Sequence, residues 1–356
     1  MTGRSRSGWK SIEHERAFVW RNPALVPAGG PGPMRPGFTG ADALRDLKAV
    51  FEQGRVLALP TETVYGLAAP IDRPDLIERV FELKGRPPDN PLIVHVATQA
   101  QARQCVSDWP ELADRLAGQF WPGPLTLVLP RSKRISDRIT AGRDTVAVRM
   151  PDHPVALAVL RSVGVPLVAP SANLFTRLSP TTAEDVRAVF GPEDVEVVDG
   201  GPCRVGIEST ILQIDSSART ATWLRPGMID RSQVEALLPA GWRIRTGDES
   251  TSSGPGQSAP GQMKEHYRPA RPLTVCLYAD ERDRAQRLAG LGQDCVPVEL
   301  PADAVSAARV LYGKLRAAET GRGERIALLL PATVLASSEW EGVLNRLRKA
   351  ATSWQV

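Results

Sequence analysis

Cysteine, histidine and lysine are scarce in this chain of 356 residues. Cys105, Cys203, Cys276 and Cys295 stand far apart with no CxxC pair, and His14, His95, His153 and His266 add no zinc-type spacing. That pattern argues against a disulfide scaffold and against a structural zinc site. No apolar run approaches the ~20 residues of a membrane span. The basic start MTGRSRSGWK is not followed by an apolar stretch, so a secretory signal is not expected and the expected address is cytoplasmic, with no membrane partner. The lysines are confined to Lys10, Lys48, Lys84, Lys133, Lys264, Lys314 and Lys349, so arginine dominates the basic residues, and the net charge is only +4. So small an excess does not by itself argue for nucleic acid. No GxSxG elbow, Cys/His nucleophile signature or GxxxxGK[ST] loop occurs, which speaks against an acyl-enzyme and a P-loop.

What is present suffices for about two domains: 42% of the residues are apolar, at the usual ~150 residues per domain. Residues 1–40 interleave Pro23, Pro27, Pro31, Pro33 and Pro36 with glycines and are expected to form a loosely draped arm, with Trp9, Phe18 and Trp20 able to dock part of it. From Ala41 to about Leu238, strands and helices mostly alternate. Helices are expected around Leu44–Phe51, Leu76–Leu83 and Pro154–Val163, and strands at Val56–Leu59, Pro91–Val96, Leu125–Leu129, Thr145–Met150, Pro166–Ala169, Val195–Val198 and Ser209–Ile214. This spacing predicts an α/β domain around a mixed sheet. The stretch 246–262, TGDESTSSGPGQSAPGQ, is Ser/Gly/Pro-rich and reads as a linker within 239–270. Residues 271–356 repeat strand and helix three times, a small βαβ unit with parallel strands. It lacks GxGxxG after its first strand, so a dinucleotide site there has little support.

Polar residues gather at strand ends, where open α/β sheets bind ligands. Five segments stand out: Pro60-Thr61-Glu62-Thr63-Val64-Tyr65-Gly66, Lys84-Gly85-Arg86-Pro87-Pro88-Asp89-Asn90-Pro91, Arg149-Met150-Pro151, Pro170-Ser171-Ala172-Asn173 and Glu208-Ser209-Thr210. Each also has an ordinary reading as turn, cap or core. Lys84 and Arg86 can aim a point charge and a fork at phosphate oxygens. Arg149 ends an apolar strand and needs a partner or a ligand there. Scattered Lys, Arg, Ser and Asn without a covalent nucleophile fit nucleotidyl transfer by positioning and charge neutralisation.

In this order, PTETVYGLA, KGRPPDNPLIVHV, FWPGPLTLVLP, TVAVRMPDHP, PLVAPSANLFTRLSPTTAEDV, GIESTI, LRPGMI, PGQMKEHYRP and NRLRKAA resemble the two-domain form of the threonylcarbamoyl-AMP synthase family. The resemblance runs from about Ala41 to Ala351. It implies a YrdC-like twisted mixed sheet with helices (41–238), a linker or lid (239–270) and a smaller Rossmann-like βαβ C-terminal domain (271–356). It further implies synthesis of L-threonylcarbamoyl-AMP and pyrophosphate from L-threonine, bicarbonate or CO2, and ATP. The product would pass to a tRNA threonylcarbamoyl-transferase complex that modifies the adenosine beside the anticodon.

Carried over by position, the resemblance places Thr63, His95, Arg149, Ala169 and Ser209 around threonine, with Arg149 on its carboxylate. Arg86, Asn90, Thr145, Ser171, Ser179, Arg225 and Tyr267 would contact ATP, with Lys84 and Arg86 as the catalytic cations, Thr61 nearby and Asn173 shaping the PSAN loop. Mg²⁺ would be held mainly by the ATP phosphates. Tyr267 would sit in a lid that keeps water from a carbamate. This chain departs from the family pattern at Phe175 and Arg177, near Ser179, and at Arg268 in the linker motif. The residues also admit two other readings: an RNA-binding or ribosome-maturation module, including direct contact with tRNA, and a carbamoyl-transfer module with another acceptor. The small charge and few aromatics speak against the first.

Overall fold

The structure is a computed structural model that describes residues 41–247 and 266–355. The arm expected over 1–40 and most of the linker expected over 246–262 lie outside the described residues.

Fourteen strands and eleven α-helices follow one another in the described chain. Strands β1 (Val56–Leu59), β2 (Gly66–Pro70), β3 (Ile93–His95), β4 (Leu125–Pro130), β5 (Thr145–Arg149), β6 (Leu167–Val168), β7 (Val195–Val197), β8 (Thr210–Asp215), β9 (Thr220–Arg225) and β10 (Arg243–Thr246) form one sheet. Its order is β10-β9-β8-β4-β5-β3-β6-β2-β1-β7, with parallel and antiparallel neighbours mixed. The sheet therefore runs to Thr246, past the expected domain end at Leu238. Around it lie α1 (Ala41–Glu52), α2 (Pro74–Lys84), α3 (Gln99–Cys105), α4 (Glu111–Phe120), α5 (Asp137–Thr140), α6 (Pro154–Val163), α7 (Ala183–Arg187) and α8 (Arg231–Glu235). The second sheet, β11 (Leu273–Tyr278), β12 (Cys295–Glu299), β13 (Arg325–Pro331) and β14 (Ser353–Gln355), is all parallel in the order β12-β13-β11-β14. Helices α9 (Glu281–Gly290), α10 (Ala304–Glu319) and α11 (Glu341–Ala350) provide its crossovers and cover.

Local chemistry sets the elements that aim the site. Helix α2 starts with Pro74 at its first turn and stops at Gly85, whose φ of 58° returns the chain through a left-handed cap. Its face Leu76, Ile77, Val80 and Phe81 is buried, at roughly 2 kcal/mol per large side chain. Lys84 and Arg86 are thus fixed on either side of a cap rather than on a free loop. Strand β5 is parallel to β3 with His95 opposite Arg149, so both side chains stand on one face of the sheet at the same strand end.

The two domains share a core. Val64, Leu178, Val205 and Ile207 of the first pack with Leu273, Val275, Leu311 and Val343 of the second. Backbone meets backbone at two glycines: a Cβ on Gly206 would lie 2.5 Å from the Ala308 carbonyl oxygen, and one on Gly342 would lie 2.4 Å from that of Gly227. The second domain is seated, not tethered alone.

Candidate active site

A cleft opens where β1, β3, β5, β6 and β9 end and β8 begins, bordered by His266 and Tyr267 at the end of the linker. Its lining includes Thr61, Thr63, Arg86, His95, Arg149, Ala169, Ser171, Ser209, Arg225 and Tyr267, which are ten of the positions carried over from sequence.

On the hydroxyl side, Thr61 Oγ1 donates to the Val64 carbonyl at 2.7 Å and accepts the Thr63 and Val64 amides. Its hydroxyl also lies 2.8 Å from that of Thr63. The turn after β1 is held by its own threonines, which leaves the Thr63 hydroxyl at the cleft. Ser209 Oγ lies 2.7 Å from Thr126 Oγ1. His95 Nδ1 lies 3.3 Å from the Ile93 carbonyl, and burial followed by the charge of Arg149 pushes its pKa down to about 3. The imidazole is therefore neutral at neutral pH.

Arg149 does not wait unpaired for a ligand, as its position at the end of an apolar strand allowed. Its Nη2 lies 2.6 Å from Glu62 Oε1, both side chains almost fully buried, and its Nε donates to the Gly123 carbonyl. Glu62 in turn accepts the Asp152 amide. A buried charge that loses such a partner is strongly destabilised, so Glu62 fixes where Arg149 can point.

The cationic side holds Arg86 and Arg225. Arg86 Nη2 donates to Asn90 Oδ1 at 2.6 Å and to the Pro91 carbonyl at 2.8 Å. Burial lowers its pKa to about 9, which leaves it charged at neutral pH. Arg225 donates through Nε to the Ser209 carbonyl and through Nη2 to its hydroxyl. Lys84 stands elsewhere: its Nζ donates to the carbonyls of Ser171 and Asn173 and does not line the cleft. Burial, reinforced by Arg86, pushes its pKa well below the usual lysine range. In this structure it staples the PSAN loop instead of facing the cleft.

Four other carried-over residues also stand behind the lining. Asn90 orients Arg86, and Asn173 Nδ2 donates to the Leu174 and Arg177 carbonyls, shaping its loop. Ser179 is fully buried and donates to Glu208 Oε1 at 2.5 Å. Thr145 lies at the far end of β5, opposite Pro130. At the sequence departures, the Phe175 amide donates to the Lys84 carbonyl and the Arg268 amide to that of Thr176, and the Phe175 ring meets His266 of the lining edge-on.

Sequence reasoning did not assign roles to Glu208 and His266, both in the lining, although each sits inside a quoted motif. Burial and the nearby cations lower the pKa of His266 to about 3. For Glu208 burial works upward, but Arg346, Arg225 and the Ser179 hydroxyl outweigh it and bring the carboxyl down to about 2. Glu208 is a carboxylate in the lining whose oxygens are taken up by Ser179, Tyr312 and Arg346. Among the described residues no group of three or more His, Cys, Asp or Glu side chains could hold a metal. That donor set does not make a protein cage for Mg²⁺.

A ten-stranded mixed α/β domain with a cation- and hydroxyl-lined cleft, capped by a small parallel α/β domain, defines a YrdC-like protein of the two-domain class. Residues 49–227 match the Sua5/YciO/YrdC family described as telomere recombination, and residues 229–352 match the C-terminal domain of threonylcarbamoyl-AMP synthase. The chain belongs to the threonylcarbamoyl-AMP synthase family and is by that membership an enzyme of the nucleotidyltransferase type. The threonylcarbamoyl-AMP synthase of Bacillus subtilis (strain 168) is 43% identical over 235 residues, 66% of each chain. That of Pyrococcus abyssi is 40% identical over 244 residues, 68% of this chain and 70% of the relative. The matched stretch thus spans about two thirds of these relatives' length. The crystal structure of P. abyssi Sua5 complexed with L-threonine superposes with a TM-score of 0.79 at 33% identity, covering 88% of this chain and 96% of that one. Among the described residues no helix is long and apolar enough to cross a membrane.

Proposed function

We propose that this protein makes L-threonylcarbamoyl-AMP and pyrophosphate from L-threonine, bicarbonate or CO2, and ATP, in the cytoplasm, for transfer to tRNA by a separate modifying complex. The observation that carries the reading is one cleft lined by the hydroxyl residues Thr61, Thr63, Ser171 and Ser209 together with Arg149, paired with Glu62, and with Arg86 and Arg225. The likeness to a structure complexed with L-threonine supports threonine as the amino acid.

Thr63, Ser209 and the backbone at Ala169 offer hydrogen bonds to threonine, and Arg149 offers its remaining donors to the carboxylate. The threonine amine adds to CO2, losing a proton, to give a carbamate. A carbamate oxygen then attacks the α-phosphorus of ATP, and pyrophosphate leaves on the opposite side. Arg86, Arg225 and Ser171 face the charge that spreads over the phosphates, where fixed donors in a dry site act most strongly. Asn90, Ser179 and Lys84 act by holding these groups and the PSAN loop, and Thr145 is assigned to ATP by the resemblance alone. His266 and Tyr267 cover the cleft and exclude water from the carbamate. Mg²⁺ would arrive with ATP and neutralise its phosphates.

The test is pyrophosphate release from recombinant full-length protein with ATP and bicarbonate, comparing threonine with serine, valine and no amino acid. Threonine dependence with an adenylate of the right mass supports the reading. Release indifferent to the amino acid refutes it.

A further inference from the structure

Arg346 belongs to the second domain, on α11, yet it ends inside the first. Its side chain is completely buried. Nε donates to Glu208 Oε2 at 2.8 Å, Nη2 donates to the Glu208 backbone carbonyl at 2.9 Å, and Nη1 donates to the Pro226 carbonyl. Those two carbonyls belong to the residues immediately before Ser209 and immediately after Arg225. One planar guanidinium therefore ties together the start of β8 and the end of β9, the strand ends that carry two lining residues. Ser209 and Arg225 complete the loop by bonding each other. The same guanidinium carbon lies 5.4 Å from the centre of the Tyr267 ring, within cation–π range. Tyr312 on α10 adds its hydroxyl, which donates to Glu208 Oε2 at 3.0 Å.

We propose that Arg346 is a positioning residue: the second domain inserts it to set Ser209, Arg225 and Tyr267 in register for the reaction. The inference deepens the proposed function and rests on that reading for the identity of the substrates. A domain that served only to carry the linker would have no reason to bury a charged fork under the cleft. The Arg346–Glu208 ion pair is an expensive device for stability alone, since apolar replacements of buried pairs are often as stable. Its geometric content is what an apolar pair cannot supply: only a fork bridges two backbone carbonyls and a carboxylate at once.

The test uses the full chain. Arg346→Lys keeps the charge beside Glu208 but cannot bridge both carbonyls, and Tyr312→Phe removes one donor to Glu208 with little change in packing. Arg284→Gln, at the half-buried α9–β12 pair with Glu299, is the control for disturbing the second domain away from the cleft. Turnover is expressed per molecule able to bind a non-hydrolysable ATP analogue, so misfolded protein is not counted. Arg346→Lys is expected to lower kcat at saturating ATP and threonine by roughly tenfold or more, the scale of a misaligned site. Tyr312→Phe is expected to lower it less, and Arg284→Gln to leave it unchanged. If the wild type itself releases no threonine-dependent pyrophosphate, the reaction reading falls, and the inference is then read from analogue affinity, which Arg346→Lys should weaken by about the same factor. Wild-type kcat, KM and analogue affinity in both Arg346→Lys and Tyr312→Phe would overturn it.

Discussion

Arg149 and Glu62 form an ion pair in which both side chains are buried, 2.6 Å apart, at the wall of the cleft. The pair links the turn after β1 to the end of β5 and gives each segment a reason to carry a charge where the chain is otherwise apolar. Removing one partner should be costly. Glu62→Gln, close in shape, is expected to lose about 3 kcal/mol of folding stability, measured by urea unfolding. Arg149→Ala should in addition raise the KM for threonine far more than that for ATP. Equal effects on the two KM values would contradict the assignment of Arg149 to the amino acid.

Arg86 and Lys84 straddle one glycine but face different partners, so their substitutions should separate. Arg86→Ala removes a preorganised donor from the cleft and is expected to cut turnover about a hundredfold, near 3 kcal/mol of barrier. Lys84→Met removes the ammonium donor from the Ser171 and Asn173 carbonyls, leaving the first with only the Asn173 amide, and should lower stability by roughly 2 kcal/mol. Steady-state kinetics and thermal unfolding on both proteins check this. A Lys84→Met protein of wild-type stability would contradict its role as the staple of the PSAN loop.

Acid should weaken the fold. Burial pushes the imidazoles of His95 and His266 down to about 3 and that of His153 down to about 4, from an ordinary 6.5. Arg204 adds to this at His153 while Asp152 opposes it. Between these values the unfolded chain holds protons that the folded one does not, so stability rises with pH from about 4 to about 6.5. Each histidine contributes up to about 1.4 kcal/mol per pH unit. Glu208, lowered from 4.5 to about 2, acts in the same direction further down: its contribution, full above pH 4.5, is lost as pH falls toward 2. The urea midpoint should therefore be lower at pH 5 than at pH 7, with a shallower slope in His153→Gln. A flat midpoint between those pH values would contradict the buried neutral imidazoles.

Much of this architecture is visible in the residues. The run Val56-Leu57-Ala58-Leu59 is a strand buried along its whole length, and helix α6 begins at Pro154 and stops at Gly164, whose positive φ makes the cap. Strand β2, Gly66–Pro70, was not legible: glycine, alanine and proline carry little strand preference, and its pairing with β1 and β6 supplies what the sequence lacks. Strands β9, β10 and β14 are not legible in the sequence either, and β10 carries the first sheet past Leu238. The cleft was legible as a set of motifs because the resemblance gave their joint meaning. The pairing of Arg346 with Glu208 was not, since its partners lie 138 residues apart and neither periodicity nor spacing links them.

The seating of the second domain makes a prediction of its own. A Cβ on Gly342 would come within 2.4 Å of the Gly227 carbonyl oxygen, and that oxygen belongs to backbone. No rotamer change relieves such a contact, so Gly342→Ala should cost about 1–3 kcal/mol and lower turnover by shifting Arg346. A protein with wild-type melting temperature and turnover would show that the domains do not meet as closely as described.

The most direct measurement for the account is the amino-acid dependence of pyrophosphate release by the full-length protein supplied with ATP and bicarbonate, followed by mass spectrometry of the nucleotide product. The account predicts release that requires threonine and a product with the mass of threonylcarbamoyl-adenylate. Release that proceeds equally with no amino acid, or a product lacking the threonylcarbamoyl group, would contradict it.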